Sequence, residues 1–374
     1  MSSILSIVYP HGPYQSTCGY CSPQGERSEE ETSYHTAALT PIQLSCDVYQ
    51  KMIDRGWRRS GEYCYKPDLK RSCCPQYTIR LDALEFKPSK SQRKLLNRWN
   101  KHIIYGEDDN GTDAVGTSVG NSSTKTPNKP PNKSPPASFV SLVHASETSF
   151  ITDGIDPAHK FEVTIEPSSF TEEKFALFQS YEKHIHKKDE TKPSGFRRFL
   201  VDTPLVREEI PYSSPPPSHL PTHYGAHHQL YRLDGELIAM GVIDILPNCV
   251  SSVYFMWEKR FEKFSLGKIS ALREASLARE IREAGAKHMG YLYMGFYIQS
   301  CQKMRYKGEY APSYLADPEE YTWHPIETCK PLLEKTRYVS FAHPEHSTNE
   351  PADPSAGKRL SRVFFVMQLL MHTV

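Results

Sequence analysis

Four cysteines stand at spacings that suit a metal centre. Cys18 and Cys21 are separated by two residues, the spacing at which two thiolates grip one ion, and Cys73 and Cys74 supply two further sulfurs. Four thiolates suit either tetrahedral zinc or an iron-sulfur cluster, and the sequence leaves both open. The other interpretation is a set of buried or redox-active free thiols. We predict a structural metal centre that stabilises a small N-terminal domain with a thin core.

One carboxylate and three hydroxyl groups on neighbouring apolar strands are candidates for a reacting centre. Asp244 interrupts the apolar run of residues 238–246. Burying an acid there costs free energy unless the acid is paired or has a role in the reaction. Ser251, Ser252 and Tyr254 follow on the next predicted strand, where their hydroxyl groups can hydrogen-bond a substrate. The alternatives are a strand-end carboxylate that faces water and hydroxyl groups that are satisfied within the sheet.

The loop of residues 300–307 interleaves cations with aromatic rings. Lys303, Arg305 and Lys307 lie near Tyr297 and Tyr306 in the sequence. Such a mixture suits a carboxylate or a stacked nucleobase, and the alternative is a charged loop that is simply solvated. We predict that this loop contacts substrate.

A strand, a helix and a second strand must position these groups. Residues 250–257 are β-branched and aromatic, which favours a strand, and residues 289–298 are almost continuously apolar, as in a strand covered on both faces. Apolar residues at helical spacing lie between them. Gly267 near the helix start lets a ligand approach the free amides of the first turn, which suit phosphate. This order predicts the working half of an N-acyltransferase fold.

Six runs of sequence resemble the eukaryotic arginyl-tRNA-protein transferases. Three are S-S-V-Y, S-L-G-K-I-S-A-L-R-E and Y-I-Q-S-C-Q-K-M-R-Y-K-G-E-Y in the C-terminal half. The other three are C-G-Y-C, R-G-W-R-R-S-G and S-C-C-P-Q-Y-T-I-R-L, which occur in the family's order. The resemblance covers roughly residues 15–104 and 160–330, which is about two domains by length.

The resemblance implies an α/β (α+β) protein with a GNAT-like C-terminal domain. Its reaction would move arginine from arginyl-tRNA to the N-terminal α-amine of proteins that start with Asp, Glu or oxidised Cys, marking them for ubiquitin-dependent degradation. Asp244 would then hold the arginyl group or take the amine proton. Ser251, Ser252, Tyr254 and Tyr297 would complete the catalytic centre.

The same resemblance implies contacts with the tRNA and with the acidic N-terminus. Gly267, Lys268 and Arg273 would contact the tRNA terminus. The residues of the cationic loop that would bind substrate are Lys303, Arg305, Tyr306 and Lys307.

Charge is concentrated in one segment. The whole chain has a formal net charge of +1, so no global field draws it to nucleic acid. Residues 51–105, in contrast, hold 14 Lys or Arg against 5 acids. We expect tRNA phosphates to bind there, with Lys94 and Arg98 among their contacts.

The chain divides by composition into four parts. Residues 1–105 form a Cys-rich, basic N-terminal domain, 106–138 a disordered linker rich in Gly, Ser, Thr, Asn and Pro, 139–345 the transfer domain, and 346–374 a variable tail. We expect residues 1–13 to be irregular, a helix to begin with Thr40 as its cap, a second helix to be capped by Ser89, a capping box at residues 169–172, and a hairpin turn at Asp234 and Gly235. No run is long enough to span a membrane, so we expect the protein in the cytoplasm or the nucleus. We also expect a monomer.

Two other functions fit parts of the pattern. One is an acyltransferase of the same fold that uses acetyl-CoA, although the usual Q/R-x-x-G-x-G/A phosphate turn is absent from the chain. The other is a metal-stapled module that binds acidic N-termini without transferring anything. Label that reaches an Asp-initiated peptide from arginyl-tRNA alone separates both from arginyl transfer.

Overall fold

Two sheets flanked by helices make up the computed structural model, which describes residues 4–21, 27–29, 34–106, 138–151 and 154–350. The strands are β1 (Ile7–Ser16), β2 (Tyr34–Gln43), β3 (Arg58–Ser60), β4 (Tyr63–Pro67), β5 (Tyr77–Asp82), β6 (Phe161–Pro167), β7 (Glu208–Glu209), β8 (His223–Leu233), β9 (Glu236–Ile245), β10 (Cys249–Trp257), β11 (Tyr291–Tyr297), β12 (Ser313–Ala316) and β13 (Trp323–Pro325). The helices are α1 (Cys46–Asp54), α2 (Lys90–Tyr105), α3 (Phe139–His144), α4 (Glu172–Ile185), α5 (Pro193–Phe196), α6 (Leu266–Glu283), α7 (Gln302–Arg305) and α8 (Ile326–Leu333). A π-helical turn (Arg197–Val201) and 3-10 helices (Lys259–Phe264, Tyr306–Glu309 and Pro344–His346) complete them. The fold is mixed α/β, as the sequence predicts.

The larger sheet joins the two halves of the chain. Its strand order is β13-β12-β5-β11-β10-β9-β8-β6, with β7 beside β8. Strand β5 comes from the N-terminal part and lies between β12 and β11, both from the C-terminal part. One continuous apolar core therefore includes residues from both halves.

Strands β10 and β11 are parallel and pair over only three residues. The pairing begins at Cys249 opposite Tyr291 and ends at Ser251 opposite Tyr293. Beyond that point both strands continue, β10 to Trp257 and β11 to Tyr297, without pairing to each other. The sheet therefore opens at the carboxyl ends of two parallel strands, which is where open α/β sheets bind ligands.

The helices cover opposite faces of this opening. Helix α6 contacts β10 and β11, whereas α4 contacts β9 and β10. Alternate residues of β9 show the two faces: Ala239 and Ile243 belong to the core that includes α6, and Met240 and Val242 to the cluster that includes α4.

The smaller sheet corrects two predictions for the N-terminal segment. Its order is β1-β2-β4-β3, and β1 occupies part of the segment predicted to be irregular. The helix predicted from Thr40 begins instead at Cys46, where the Ser45 side chain accepts from Val48 N. Pairing between β1 and β2 determines the structure of this segment. Thr40 lies opposite Tyr9 in the sheet and therefore cannot cap a helix.

Local signals placed most other elements correctly. Ser89 and Gln92 form a capping box at the start of α2, and Gly106 ends this helix at a φ of 67°. The predicted hairpin turn at Asp234 joins β8 to β9. The cap of α4 is Thr171 rather than the predicted residue 169, since Thr171 accepts from the amide of Lys174.

Two predicted segments lie largely outside the described residues. They are the linker (106–138) and the variable tail (346–374). Within the described part of the chain, no helix has the length and apolar character needed to cross a bilayer.

Candidate active site and cysteine centre

The four cysteines predicted to bind metal come together. Cys18 and Cys21 follow β1, and Cys73 and Cys74 precede β5. Their sulfur atoms all lie within 4.8 Å of one another. Cys21 Sγ and Cys73 Sγ are 3.8 Å apart, about the spacing that a zinc-sulfur bond of roughly 2.3 Å gives at the tetrahedral angle. These residues can therefore hold one metal ion.

Hydrogen bonds within the cluster already favour one thiolate. Cys73 first, and then Cys74, lower the pKa of the Cys18 thiol to about 2. The pKa of Cys73 rises in turn to about 11, chiefly because of its hydrogen bond with Cys18. An ion bound to all four sulfurs would displace the remaining protons, so its affinity should fall at low pH.

The cysteine centre packs against the segment that follows β11. Cys18 and Cys74 form a buried cluster with Ile298, and Cys301 and Met304 pack against it. The centre thus fastens the N-terminal part of the chain to the cationic loop, residues 300–307, that the sequence predicts to contact substrate.

Asp244 is buried and paired. Arg59 Nη2 donates to one carboxylate oxygen at 2.6 Å and Arg59 Nε to the other at 2.8 Å. The side chains of Arg59 and Asp244 are 2% and 0% exposed, so the alternative of a water-facing carboxylate is wrong. Each oxygen of the carboxylate therefore already accepts one hydrogen bond from Arg59, a residue that the sequence analysis did not single out. The pair fastens β3 of the small sheet to β9 of the large sheet.

The hydroxyl groups predicted on β10 are divided between two faces. Ser251 is buried and Ser252 faces α6, where it interacts with Glu274. The Tyr254 hydroxyl points to the other face, 3.2 Å from Glu182 Oε1 and 3.3 Å from His186 Nε2. Ser252 and Tyr254 therefore do not face one substrate atom from the same side of the sheet.

The cationic loop presents some of its predicted residues to solvent and folds others inward. Lys303 and Arg305 are exposed. Lys307 Nζ instead donates to Phe296 O at 2.8 Å, and burial lowers the pKa of this amine to about 7. Tyr297 is buried and its hydroxyl donates to Gln299.

The start of α6 is accessible, but the middle of the helix is not. Lys268 is exposed, and Gly267 lies where an added Cβ would be 3.8 Å from the ring of Phe255. Arg273 is buried, and its Nη1 donates to Glu147 Oε1 at 2.6 Å. Arg273 was predicted to contact the tRNA terminus, but its guanidinium group is held in an ion pair inside the protein.

Helix α2 carries the basic surface only in part. Lys94 is exposed, as a phosphate contact requires. Arg98 is half-buried, donates to the carbonyl oxygen of Lys263, and lies 5.8 Å from the ring centre of Phe264. Because Lys263 belongs to the 3-10 helix that leads into α6, α2 and the start of α6 are neighbours.

Glu274 is a buried carboxyl group that the sequence analysis did not single out. It lies in the middle of α6 with no exposed surface, and burial raises its pKa to about 8. Apolar residues on all sides of the helix, Ile269, Ala271, Leu272 and Leu277, were the available signal, because a helix that is apolar all round is buried.

A second cluster of possible metal ligands is a hydrogen-bonded network. His144, His219 and Glu280 place their polar atoms within 4.8 Å of one another. His144 Nε2 lies 3.0 Å and His219 Nε2 2.9 Å from Glu280 Oε2. Although burial opposes the charge, these hydrogen bonds lower the pKa of Glu280 to about 2. The network ties α3 and the loop before β8 to α6.

Comparison with known proteins identifies the family. Two family profiles match: "Arginine-tRNA-protein transferase, N terminus" over residues 16–94, and "Arginine-tRNA-protein transferase, C terminus" over residues 173–317. Together they cover more than half of the chain. The chain belongs to the arginine-tRNA-protein transferase family.

Relatives of this family match over most of their length. Arginyl-tRNA--protein transferase 1 of Drosophila melanogaster is 33% identical over 89% of this chain and 85% of the relative. The protein of the same name from Dictyostelium discoideum is 27% identical over 93% of this chain and 89% of its own length. An aspartate/glutamate leucyltransferase of Pseudomonas fluorescens is 26% identical over 75% of this chain and 85% of the relative.

Both candidate regions of this arginine-tRNA-protein transferase family member lie inside the matched segments. The four cysteines fall within the N-terminal match. The opening between β10 and β11, helix α6 and the cationic loop fall within the C-terminal match. The six sequence runs that suggested the family all lie inside the two matched segments.

Proposed function

We propose that this protein transfers arginine from arginyl-tRNA to the N-terminal α-amine of proteins that begin with an acidic residue. The observation that carries the proposal is the match of both halves of the chain to one transferase family. Relatives named as arginyl transferases and relatives named as aspartate/glutamate leucyltransferases share this chain's sequence. Both names describe an aminoacyl transferase. The acidic acceptor in our proposal is taken from the name aspartate/glutamate leucyltransferase.

The reaction needs positioning more than it needs chemical groups. The neutral amine attacks the carbonyl carbon of the arginyl ester, a carbon-nitrogen bond forms, and the bond to the tRNA ribose oxygen breaks. The proton that the amine loses ends on that oxygen. An α-amine has a pKa of about 8, so a useful fraction is neutral at physiological pH. Holding both reactants in line supplies about 7 kcal/mol or more in favourable cases.

The opening between β10 and β11 is our choice for the reacting ester. Strand β10 carries an irregularity between Ser252 and Tyr254, beside the last pair with β11. Such a bulge leaves backbone groups without a ladder partner, and a freed amide there can hold the ester carbonyl. The opening and the bulge support the GNAT-like fold that was assigned from the sequence. Ser251, Ser252 and Tyr254 belong to β10, the strand that borders the opening.

The tRNA would approach from the start of α6. Gly267 and Lys268 lie at that end, and Lys94 is exposed on the neighbouring helix α2. Exposed Lys303 and Arg305 in the cationic loop, together with Tyr306, would receive the acidic acceptor or the terminal adenosine. Long-range attraction by such exposed cations depends on salt.

Zinc is the metal we propose for the cysteine centre. The sulfur spacing suits one tetrahedral ion, whereas an iron-sulfur cluster places a cage of several atoms between its thiolates and holds them further apart. The ion would have a structural role, because it would hold the cationic loop against the N-terminal part of the chain. We further propose a monomer with a Cys-rich basic domain and a transfer domain, in the cytoplasm or nucleus.

A three-donor assay tests the function. The protein is incubated with a peptide that starts with Asp and with labelled arginyl-tRNA, leucyl-tRNA or acetyl-CoA. Transfer from arginyl-tRNA alone supports the proposal. Transfer from acetyl-CoA, or peptide binding without transfer from any donor, contradicts it. A peptide that starts with Gly is the acceptor control.

A further inference from the structure

Glu274 differs from the other buried acids that the structure describes. Asp244 is paired with Arg59, and Glu147 with Arg273. Neither carboxylate oxygen of Glu274, in contrast, has a hydrogen-bond partner of ordinary geometry. Leaving a polar group buried without a partner costs about 1–3 kcal/mol, and more if it is charged. A protein that retains this cost in its central helix has a use for the group.

The surroundings of Glu274 are the walls of the opening between β10 and β11. Ser252, the first residue of β10 beyond its pairing with β11, is near enough to lower the pKa of Glu274, although burial raises it more. Tyr306 and Tyr310, from the chain that follows β11, lie close enough for the Glu274 charge to raise their pKa values, which burial has already raised. The carboxyl group therefore lies near the end of the β10–β11 pairing, and its charge acts on two tyrosines of the chain that follows β11.

This geometry suits a guanidinium group better than it suits proton transfer. Two carboxylate oxygens that lack a hydrogen bond of ordinary geometry match the two parallel N–H groups of a guanidinium fork. Arg59 binds Asp244 in this two-bond manner elsewhere in the same protein. A general base, in contrast, needs only one oxygen.

We propose that Glu274 binds the guanidinium group of the arginyl residue and thereby selects arginyl-tRNA as the donor. The proposal rests on the proposed function and names the side chain that reads the transferred amino acid. In the absence of donor the carboxyl group keeps its proton; when the cationic side chain enters, the proton leaves to solvent and an ion pair forms. A neutral donor side chain would leave the carboxyl group unpaired in the closed site.

Selection by a buried partner should be strong. A site built to hydrogen-bond one substrate group rejects an analogue that lacks it by as much as about 10⁴-fold. Citrulline tests this directly, because it replaces the guanidinium group by a neutral urea of nearly the same shape. We expect wild-type protein to prefer arginyl-tRNA to citrullinyl-tRNA by about 10²-fold or more in kcat/KM.

The experiment compares these two donors on the same tRNA with three proteins. They are the wild type, Glu274→Gln, and Glu283→Gln, which makes the same change at an exposed position of the same helix. The ratio of the two kcat/KM values within each protein does not depend on how much of that protein is folded. We expect Glu274→Gln to reduce the preference for arginine at least tenfold and Glu283→Gln to leave it unchanged.

Three outcomes are informative. A preference that survives in Glu274→Gln overturns the proposal. Equal losses with both donors in Glu274→Gln also overturn it, because they indicate a proton-transfer role or a structural one. If wild-type protein uses neither donor, the proposed function itself fails. A Glu274→Asp variant adds a further check, since it keeps the charge but shortens the reach, and it should retain part of the preference.

Discussion

The buried pair of Arg59 and Asp244 permits a prediction that separates structure from catalysis. Replacing Asp244 with Leu leaves the Arg59 guanidinium group buried without its carboxylate partner. The two residues are 185 positions apart in the sequence, so the pair joins distant parts of the chain. Only 2% of the Arg59 side chain is exposed, so water cannot replace that partner without local opening. We therefore expect Asp244→Leu to destabilise the contact between the two sheets.

The magnitude follows from the cost of an unpaired buried charge. Breaking one partner of such a pair costs about 3–5 kcal/mol. A native protein is stable by about 5–15 kcal/mol, so this is a large fraction of the total. With a urea slope of about 2–3 kcal/mol/M, the unfolding midpoint should fall by about 1–2 M. Replacing both residues, in Arg59→Met with Asp244→Leu, should restore most of the loss, because an apolar pair of similar volume carries no desolvation cost.

Urea unfolding followed by circular dichroism, together with arginyl transfer measured on the folded fraction, gives the test. We expect the single variants Asp244→Leu and Arg59→Met to be unstable and the double variant to be stable and active. If the double variant is as stable as the wild type but transfers nothing, the carboxylate takes part in the reaction and our structural assignment of Asp244 is refuted. If Asp244→Leu unfolds at the same urea concentration as the wild type, the loss of stability calculated from the burial of the pair is wrong.

Three further predictions test the metal centre, the tRNA surface and the buried acid. Cys74→Ser should reduce the bound metal from about one equivalent to less than about half and should lower the melting temperature. The control is Cys301→Ser, which alters a neighbouring thiol outside the four-sulfur set and should retain the metal. Elemental analysis measures the metal content, and a full equivalent in Cys74→Ser would contradict the site. Lys94→Glu should weaken tRNA binding at low salt and reduce the slope of log affinity against log salt by about 1, and an unchanged slope in filter binding removes this residue from the interface. Because burial raises the pKa of Glu274 to about 8, the folded state keeps a proton that the unfolded chain releases above about pH 4.5. Wild-type stability relative to Glu274→Gln should therefore fall as the pH rises from about 5 to 8, and parallel urea midpoints across that range would show that the acid is not buried in solution.

Local signals in the sequence predicted elements whose structure depends on near neighbours. Ser89 with Gln92 caps α2, and the Asp234 turn joins two strands, because each involves residues only a few positions apart. The N-terminal segment was predicted wrongly for the opposite reason. Strand β1 forms because it pairs with β2, and its own sequence, with two prolines and a glycine, gives little indication of a strand.

The candidate site shows the same division. The cysteine cluster was predicted from spacing, because thiolates in such patterns have few other uses. Asp244 was chosen correctly as an unusual acid, but its partner Arg59 lies on another sheet and no local pattern connects them. Glu274 was overlooked because a glutamate in a helix is ordinary until the packing around it is known, and the structure shows that α6 is buried at that position.

Mass spectrometry of the acceptor tests the central claim most directly. An Asp-initiated peptide is incubated with purified protein and arginyl-tRNA, and the product is fragmented to locate any added residue. We expect one arginine joined by an amide bond to the N-terminal nitrogen, and no product when that nitrogen is acetylated beforehand. An unmodified peptide after incubation with metal-loaded, folded protein, or arginine found on a side chain, would contradict the account.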